Sequence, residues 1–168
     1  MIGQALRLRP LHPGDAAFLR RLYAEVRTPE LALMGFEGAA ADAFLDMQFD
    51  AQQRHYQATY PQARFDIVER AGIPLGRLYV ASEADALHVI DIALLAQYRG
   101  QGIGSTLLRT LQDEAARDDR RLGLNVAQHN PAHALYMRLG FIETDLEGMY
   151  RSMQWRPTPP AVPTRTTP

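Results

Sequence analysis

The sequence predicts a single α/β domain, a central sheet with helices packed on it, and three observations carry that prediction. The chain has 168 residues, a length that suits one domain. Segments with strand patterning alternate with segments of helical period in the order strand, helices, three strands, helix, strand, helix, two strands. One strongly apolar strand, residues 87–95, runs into a glycine-rich turn that opens a helix, as α/β phosphate sites do.

Residues 5–9 alternate apolar and polar side chains and read as the first strand. Pro13, Gly14 and Asp15 break it, with Asp15 as N-cap of a helix whose Phe18, Leu19, Leu22 and Val26 follow helical spacing. Thr28-Pro29-Glu30 has the form of a second helix start, with proline at the first helical position, and residues 35–38 interrupt it with two glycines. Residues 39–56 predict a third helix, on which Leu45, Phe49, Gln52 and Tyr56 form one stripe. Residues 65–69 and 73–81 form a hairpin around Ala71-Gly72. Residues 87–95 are almost continuously apolar, as a strand buried on both faces would be. Ile103, Leu107, Leu108, Leu111 and Ala115 mark a helix to about Asp118, and residues 122–126 form another strand. Asn130-Pro131 starts a helix by N-cap and first-position logic, and Gly140 ends it. Residues 141–144 and 149–155 are the last two strands, joined across Glu147-Gly148. Residues 157–168 are rich in proline and threonine and poor in apolar bulk, so they read as a disordered tail that leaves residues 1–156 as the domain.

Composition narrows the function. The formal net charge is -1, which argues against a nucleic-acid partner held by a basic surface. Cysteine is absent, which excludes disulfides, thiolate metal sites and a cysteine nucleophile within these residues. No stretch approaches the roughly 18 apolar residues of a membrane span, and the amino terminus lacks the apolar run of a signal peptide. A cytoplasmic protein without a membrane partner is the expectation. All 18 basic residues are arginine, so the chain offers no lysine side chain as a target for its own chemistry. His129 and His133 have i, i+4 spacing, but the helix start at Asn130-Pro131 lies between them, and with His12 and His55 they form no convincing metal set.

The glycine turn carries the chemistry. A helix N-terminus leaves its first backbone N–H groups without partners and adds partial positive charge. Gly100, Gly102 and Gly104 remove side chains that would block an anion, while Arg99, Ser105 and Thr106 add donors. A P-loop needs a lysine, which the chain lacks. A dinucleotide fingerprint needs a third glycine where Ser105 stands, and an acidic residue after the next strand, which is also missing. The pattern Arg/Gln-x-x-Gly-x-Gly/Ala is satisfied at every position by Arg99-Gly100-Gln101-Gly102-Ile103-Gly104.

That hexapeptide, preceded by Leu94-Leu95-Ala96-Gln97-Tyr98, resembles the cofactor motif of the GNAT family of N-acetyltransferases. Residues 125–141, Asn-Val-Ala-Gln-His-Asn-Pro-Ala-His-Ala-Leu-Tyr-Met-Arg-Leu-Gly-Phe, resemble the family's second motif. The likeness spans about residues 66–155, and Ala96 stands where the family often has proline. It implies a mixed, mostly antiparallel sheet with helices on both faces and a splayed cofactor cleft. It implies acetyl-CoA as cofactor, with the pyrophosphate at Arg99, Gly100, Gln101, Gly102, Gly104, Ser105 and Thr106. The pantetheine arm would lie along a bulged strand end at Leu94 and Leu95, splayed from residues 122–126. Asn130 would touch the cofactor as well as cap its helix.

The same resemblance implies Tyr136 as the acid that assists the leaving thiol, in direct attack by a small-molecule or peptide amine within a ternary complex. A neutral amine must attack, so a base is expected. His88 has a suitable pKa and lies on the same strand face as Leu94 by parity, whereas Asp91 points to the opposite face unless a bulge precedes it. Glu37, Asp46 and Asp50 are acidic groups near the expected acceptor wall. Homodimers are common in such proteins. The contrasting reading is an acyl-CoA-binding regulatory or interaction module that keeps the cradle without efficient transfer.

Overall fold

Short runs rich in valine, isoleucine, leucine and tyrosine pair into one seven-stranded sheet, whose pleat sends alternate side chains to two helical layers. The computed structural model describes residues 5–158; the Pro/Thr-rich tail falls outside them apart from Pro157 and Thr158. The strands are β1 (Leu6–Pro10), β2 (Arg64–Arg70), β3 (Ile73–Ser82), β4 (Ala86–Leu94), β5 (Arg121–Ala127), β6 (Ile142–Glu147) and β7 (Tyr150–Trp155). The helices are α1 (Ala16–Leu33), α2 (Gly38–Thr59), α3 (Ile103–Arg117) and α4 (Ala132–Arg138). The sheet order is β1-β2-β3-β4-β5-β7-β6, antiparallel throughout except for the β4–β5 pair.

Two apolar cores lie on the two faces. Leu78, Val80, Leu87, Val89, Leu122, Leu124 and Val126 pack against α3 and α4. On the other side Ile67 meets Leu19, Tyr23 and Leu31 of α1 and Leu45 and Phe49 of α2. This is the expected fold, and every predicted strand is present within a few residues of its expected bounds.

Two local expectations fail. The break at Thr28-Pro29 does not occur: α1 runs unbroken through Pro29. Burial of Leu31 in the same core as Leu19 and Tyr23 holds the last turn in register. The Thr28 hydroxyl donates to the Ala24 carbonyl at 2.6 Å instead of capping a new helix. Asp15 precedes α1 but makes no side-chain cap. Its carboxylate accepts from His12 N at 2.8 Å and pairs with Arg9 at 2.7 Å, closing a 3-10 turn at Pro13–Asp15.

The site is positioned by two irregularities of β4. Tyr79 opposes Asp91 while Val80 opposes Val89, so Ile90 is an extra residue and β4 bulges there. Parallel pairing with β5 joins only Ala86–Val89 to Arg121–Leu124, and the strands then part. The end of β4 is correspondingly half-buried rather than buried on both faces. At Gly76 the chains of β3 and β4 approach so closely that a Cβ would sit 2.1 Å from the Ala93 carbonyl oxygen.

Candidate active site

Past Leu94 the chain makes a 3-10 turn at Ala96–Tyr98 and then two left-handed turns, at Gly100 (φ 71) and Gly102 (φ 77), before α3 begins. L-residues with a side chain rarely adopt such φ values, so the glycines permit the turn itself. Gly102 supplies no side-chain cap, and the first amide bonded within the helix is Thr106 N, to Gly102 O at 3.0 Å. The amides of Ile103, Gly104 and Ser105 therefore have no partner among the described residues. A Cβ on Gly100 or Gly102 would meet nothing within 4 Å, so the approach to these amides is open. Glu25 of α1 fixes the turn from the other side, accepting from Ala96 N at 3.0 Å, and that bond holds its carboxyl below the ordinary range.

Several expected donors have other occupations. Arg99 Nε donates to Leu94 O at 2.8 Å, and Gln101 Nε2 to Gln97 O at 2.8 Å. The Thr106 hydroxyl turns back to Gly102 O at 3.1 Å, whereas no side-chain bond engages Ser105 among the described residues. Leu95 is buried at 2%, its amide bonded to Leu75 O, and Leu94 packs against the core on the α3 side. The bulge thus lies at Ile90, earlier in β4 than the Leu94–Leu95 end where it was expected. Asn130 Oδ1 accepts from Ala132 N at 2.9 Å, the expected capping role, and Gly140 (φ 86) closes α4 through Phe141 N to Tyr136 O.

Tyr136 projects from α4 into the first core, 6% exposed and edge-on to Phe141 with centroids 5.9 Å apart. Burial, aided by the negative charge of Asp91, pushes its phenol up to about 12.

Asp91 belongs to a buried polar cluster that the sequence only half disclosed. Its Oδ2 accepts from Tyr56 OH at 2.9 Å and from Arg77 Nη2 at 2.8 Å. Arg77, 3% exposed, also donates to Gln52 Oε1 at 2.9 Å and lies over the Tyr79 ring at 5.1 Å. Burial alone would lower the Arg77 pKa, but the charge and hydrogen bond of Asp91, together with Tyr79 and Tyr56, outweigh it and raise the value. The stripe Leu45, Phe49, Gln52, Tyr56 thus has an apolar half in the core and a polar half on this cluster. Arg77 escaped notice because a lone arginine in a strand of β-formers resembles a solvent-facing position; only the polar residues of the stripe pointed to it.

The bulge also corrects the parity argument for His88. His88 opposes Ala81 and Asp91 opposes Tyr79, so both face the α2 side, while Leu94, opposite Gly76, faces away. His88 stacks on Tyr60 (6.2 Å, 25°), and burial lowers its pKa against the opposing charge of Glu83. Its strand neighbour is Gly123, in the paired half of β4. Asp46 and Asp50 are paired to Arg20 of α1 at 3.0 and 2.6 Å, and Glu37 is exposed. His133 pairs with Glu143 at 2.7 Å, and among the described residues no three histidine or carboxylate groups gather around a metal position. No helix among them is long and apolar enough to cross a membrane.

Comparison with known proteins bears on this arrangement. Residues 61–143 match the acetyltransferase (GNAT) domain family. A Bacillus subtilis (strain 168) protein, provisionally named a ribosomal protein bS18-alanine N-acetyltransferase, is 34% identical over 82 residues, which are 48% of this chain and 54% of that protein. The chain thus spans about half the length of that curated relative. The PaiA N-acetyltransferase of Thermoplasma acidophilum, solved with coenzyme A, superposes with a TM-score of 0.69 at 16% identity, covering 90% of this chain and 99% of the other. The ribosomal-protein-S18-alanine N-acetyltransferase of Escherichia coli gives 0.59 at 18% identity, covering 89% and 91%. At those identities the two structures establish the shared fold.

Proposed function

The chain belongs to the GNAT family of N-acetyltransferases, and from that premise we propose that it transfers an acetyl group from acetyl-CoA to a primary amine. One observation carries the reading: unpartnered amides ring the N-terminus of α3 at the end of a strand that parts from its neighbour, and Tyr136 shares a core with Val126, Ile92 and Leu94 of the two parting strands. The open space over Gly100 and Gly102 fits a pyrophosphate. In this reading Ile103, Gly104 and Ser105 bind it through their amides, joined by Gly100, Gln101 and Gly102 of the same turn, and Thr106 would turn its hydroxyl from Gly102 O to reach it. Arg99 leaves Leu94 O to add its charge, and that frees a backbone acceptor beside Leu95 for the pantetheine amides. Asn130 keeps α4, and hence Tyr136, in place.

Acetyl-CoA supplies an activated acyl group as a thioester. The amine nitrogen bonds to the acyl carbon as the carbon–sulfur bond breaks; the amine loses one proton and the thiol gains one. Full transfer from a phenol near 12 to a thiolate whose acid has a pKa of ~8.5 is uphill by about 3.5 units, roughly 5 kcal/mol. Tyr136 therefore assists by hydrogen bonding to the departing sulfur, and the proton follows from elsewhere. Burial favours the neutral form of His88, but it lies on the paired half of β4 with Tyr60 on its ring, a placement that favours packing over proton removal. The similarity to ribosomal-protein alanine N-acetyltransferases makes a protein N-terminus ending in alanine the first acceptor to try.

Thermal unfolding with excess acetyl-CoA, with NAD as control, tests the cradle. Saturation at about 100 times Kd adds roughly 2.7 kcal/mol, a shift of about 5–10 °C for a domain this size. Thiol release with an amine panel then separates a transferase from a module that only binds acyl-CoA.

A further inference from the structure

In the acetyl-transfer reading α3 offers amides to the pyrophosphate and α4 carries the assisting phenol, so the placement of one helix against the other sets where that phenol stands. α4 spans only Ala132–Arg138, too short to keep its shape in water without outside support. Its beginning is held locally, by Asn130 Oδ1 on Ala132 N. Its end closes on itself through Leu139 N, Gly140 N and Phe141 N. That closure leaves the Leu139 carbonyl without a backbone donor among the described residues.

Gln112 of α3 supplies the donor. Its Nε2 lies 2.7 Å from Leu139 O, a bond between residues 27 apart in the chain. The side chain is out of keeping with its position. It shares a helix face with Leu108 and Ala115, both fully buried, and is itself 8% exposed. It is the one polar side chain among the buried residues of α3. An apolar residue of that length would fill the space with no amide to desolvate, so packing does not account for a glutamine there. The bond it makes does. Leu139 N bonds to Leu135 O and Tyr136 O, and Phe141 N bonds to Tyr136 O, so the residue that Gln112 grips is joined directly to the turn bearing Tyr136. Near the start of α3, Gly104 lies against Leu135, whose Cδ2 would be 3.6 Å from a Cβ at that position. The helix that opens the cradle therefore touches α4 on both sides of Tyr136. Resting on the acetyl-transfer reading of this site, we propose that Gln112 is a positioning residue: its amide ties the end of α4 to α3 and so holds the Tyr136 hydroxyl in a fixed place relative to a cofactor bound at the start of α3. Gln112 itself touches neither substrate nor cofactor and acts through Tyr136.

The test variant is Gln112→Met, which keeps the length and volume of the side chain and removes the donor. In turnover with acetyl-CoA and an alanine-initiated peptide it should lower kcat about three- to tenfold, with KM for acetyl-CoA and the affinity for CoA kept within about twofold. Combination with Tyr136→Phe separates positioning from general support. Once the phenol is gone, Gln112→Met should lower kcat no further. Equal losses in both backgrounds overturn the proposal, as does an unchanged kcat in the single variant. A second measurement needs no cofactor. Amide exchange at Leu139 and Phe141 in the ligand-free protein should quicken at least roughly threefold in Gln112→Met, while Leu107 to Leu111 of α3 keep their protection. Exchange as slow as in the wild type overturns the proposal whatever the kinetics. Should Gln112→Met fail to fold, Gln112→Asn, whose amide stops one methylene short of Leu139 O, carries the same comparisons. Failure of the acetyl-transfer reading has a different signature: exchange quickens in the variant, yet the wild-type protein releases no thiol from acetyl-CoA with any amine.

Discussion

At the scale of single residues, Tyr136 and Gly102 make opposite demands on their surroundings. The role proposed for Tyr136 would draw on its burial: a phenol held near 12 remains a donor across the physiological range and beyond. Tyr136→Phe should lower kcat about 10–100-fold, the worth of a hydrogen bond to a charged sulfur, and leave acetyl-CoA affinity unchanged in a titration. The wild-type rate should rise with pH as the amine deprotonates and then stay level to pH 10, with no descending limb from this phenol. The cradle proposed at Gly102 would draw on the lack of a side chain there. Its φ of 77 makes an alanine strained by about 1–2 kcal/mol, yet the methyl would enter open space. Gly102→Ala should therefore remain folded, losing a few degrees of Tm, while acetyl-CoA affinity falls at least tenfold, because the methyl stands where the phosphate would approach.

At the scale of elements, the legible parts of the sequence were those in which a local rule and the tertiary structure agree. The turn at 99–104 could be read because left-handed glycines and an uncapped helix start have a local cause, and the same holds for Asn130 and Gly140 at the two ends of α4. Pro29 was misread because its local rule, proline begins a helix, was outweighed by distant burial of Leu31. Replacing Pro29 with alanine should restore a backbone donor to α1 and raise stability by about 1–2 kcal/mol, read as a higher Tm. The bulge at Ile90 left no sequence mark at all. It comes from the way β3 and β4 register across Tyr79 and Val80, and that one residue moved His88 to the face opposite Leu94, beside Asp91. Gly76 is a quieter case of the same dependence, since only the paired strand shows why it lacks a side chain. Gly76→Ala pushes a methyl into the Ala93 carbonyl and the Leu94 side chain and should cost about 2–3 kcal/mol, a fall of roughly 5–10 °C in Tm.

At the scale of the molecule, the buried phenols tie stability to pH. Tyr56, Tyr79 and Tyr136 all have raised pKa values, chiefly through burial. A phenol whose pKa is higher folded than unfolded contributes fully below its unfolded value of ~10 and loses that contribution as pH climbs toward the folded value. Stability measured by denaturant titration should accordingly hold up to about pH 10 and fall steeply between 10 and 12, and Tyr136→Phe should flatten part of the fall. His88 acts in the other direction. Its pKa is lowered by burial, so its contribution is present above ~6.5 and is lost as pH drops below that value.

The four-residue ladder between β4 and β5 has a mechanical meaning as well. The sheet consists of two half-sheets, β1 to β4 and β5 to β7, stitched at one end of a seam and spanned on one face by α3. Beyond Val89 and Leu124 the zipper stands open. A guest laid along that opening would lace the halves together as a temporary eighth strand. Amide exchange along Val126 and Ala127 should slow when the guest is bound, and the two halves, free to breathe separately without it, should melt as one.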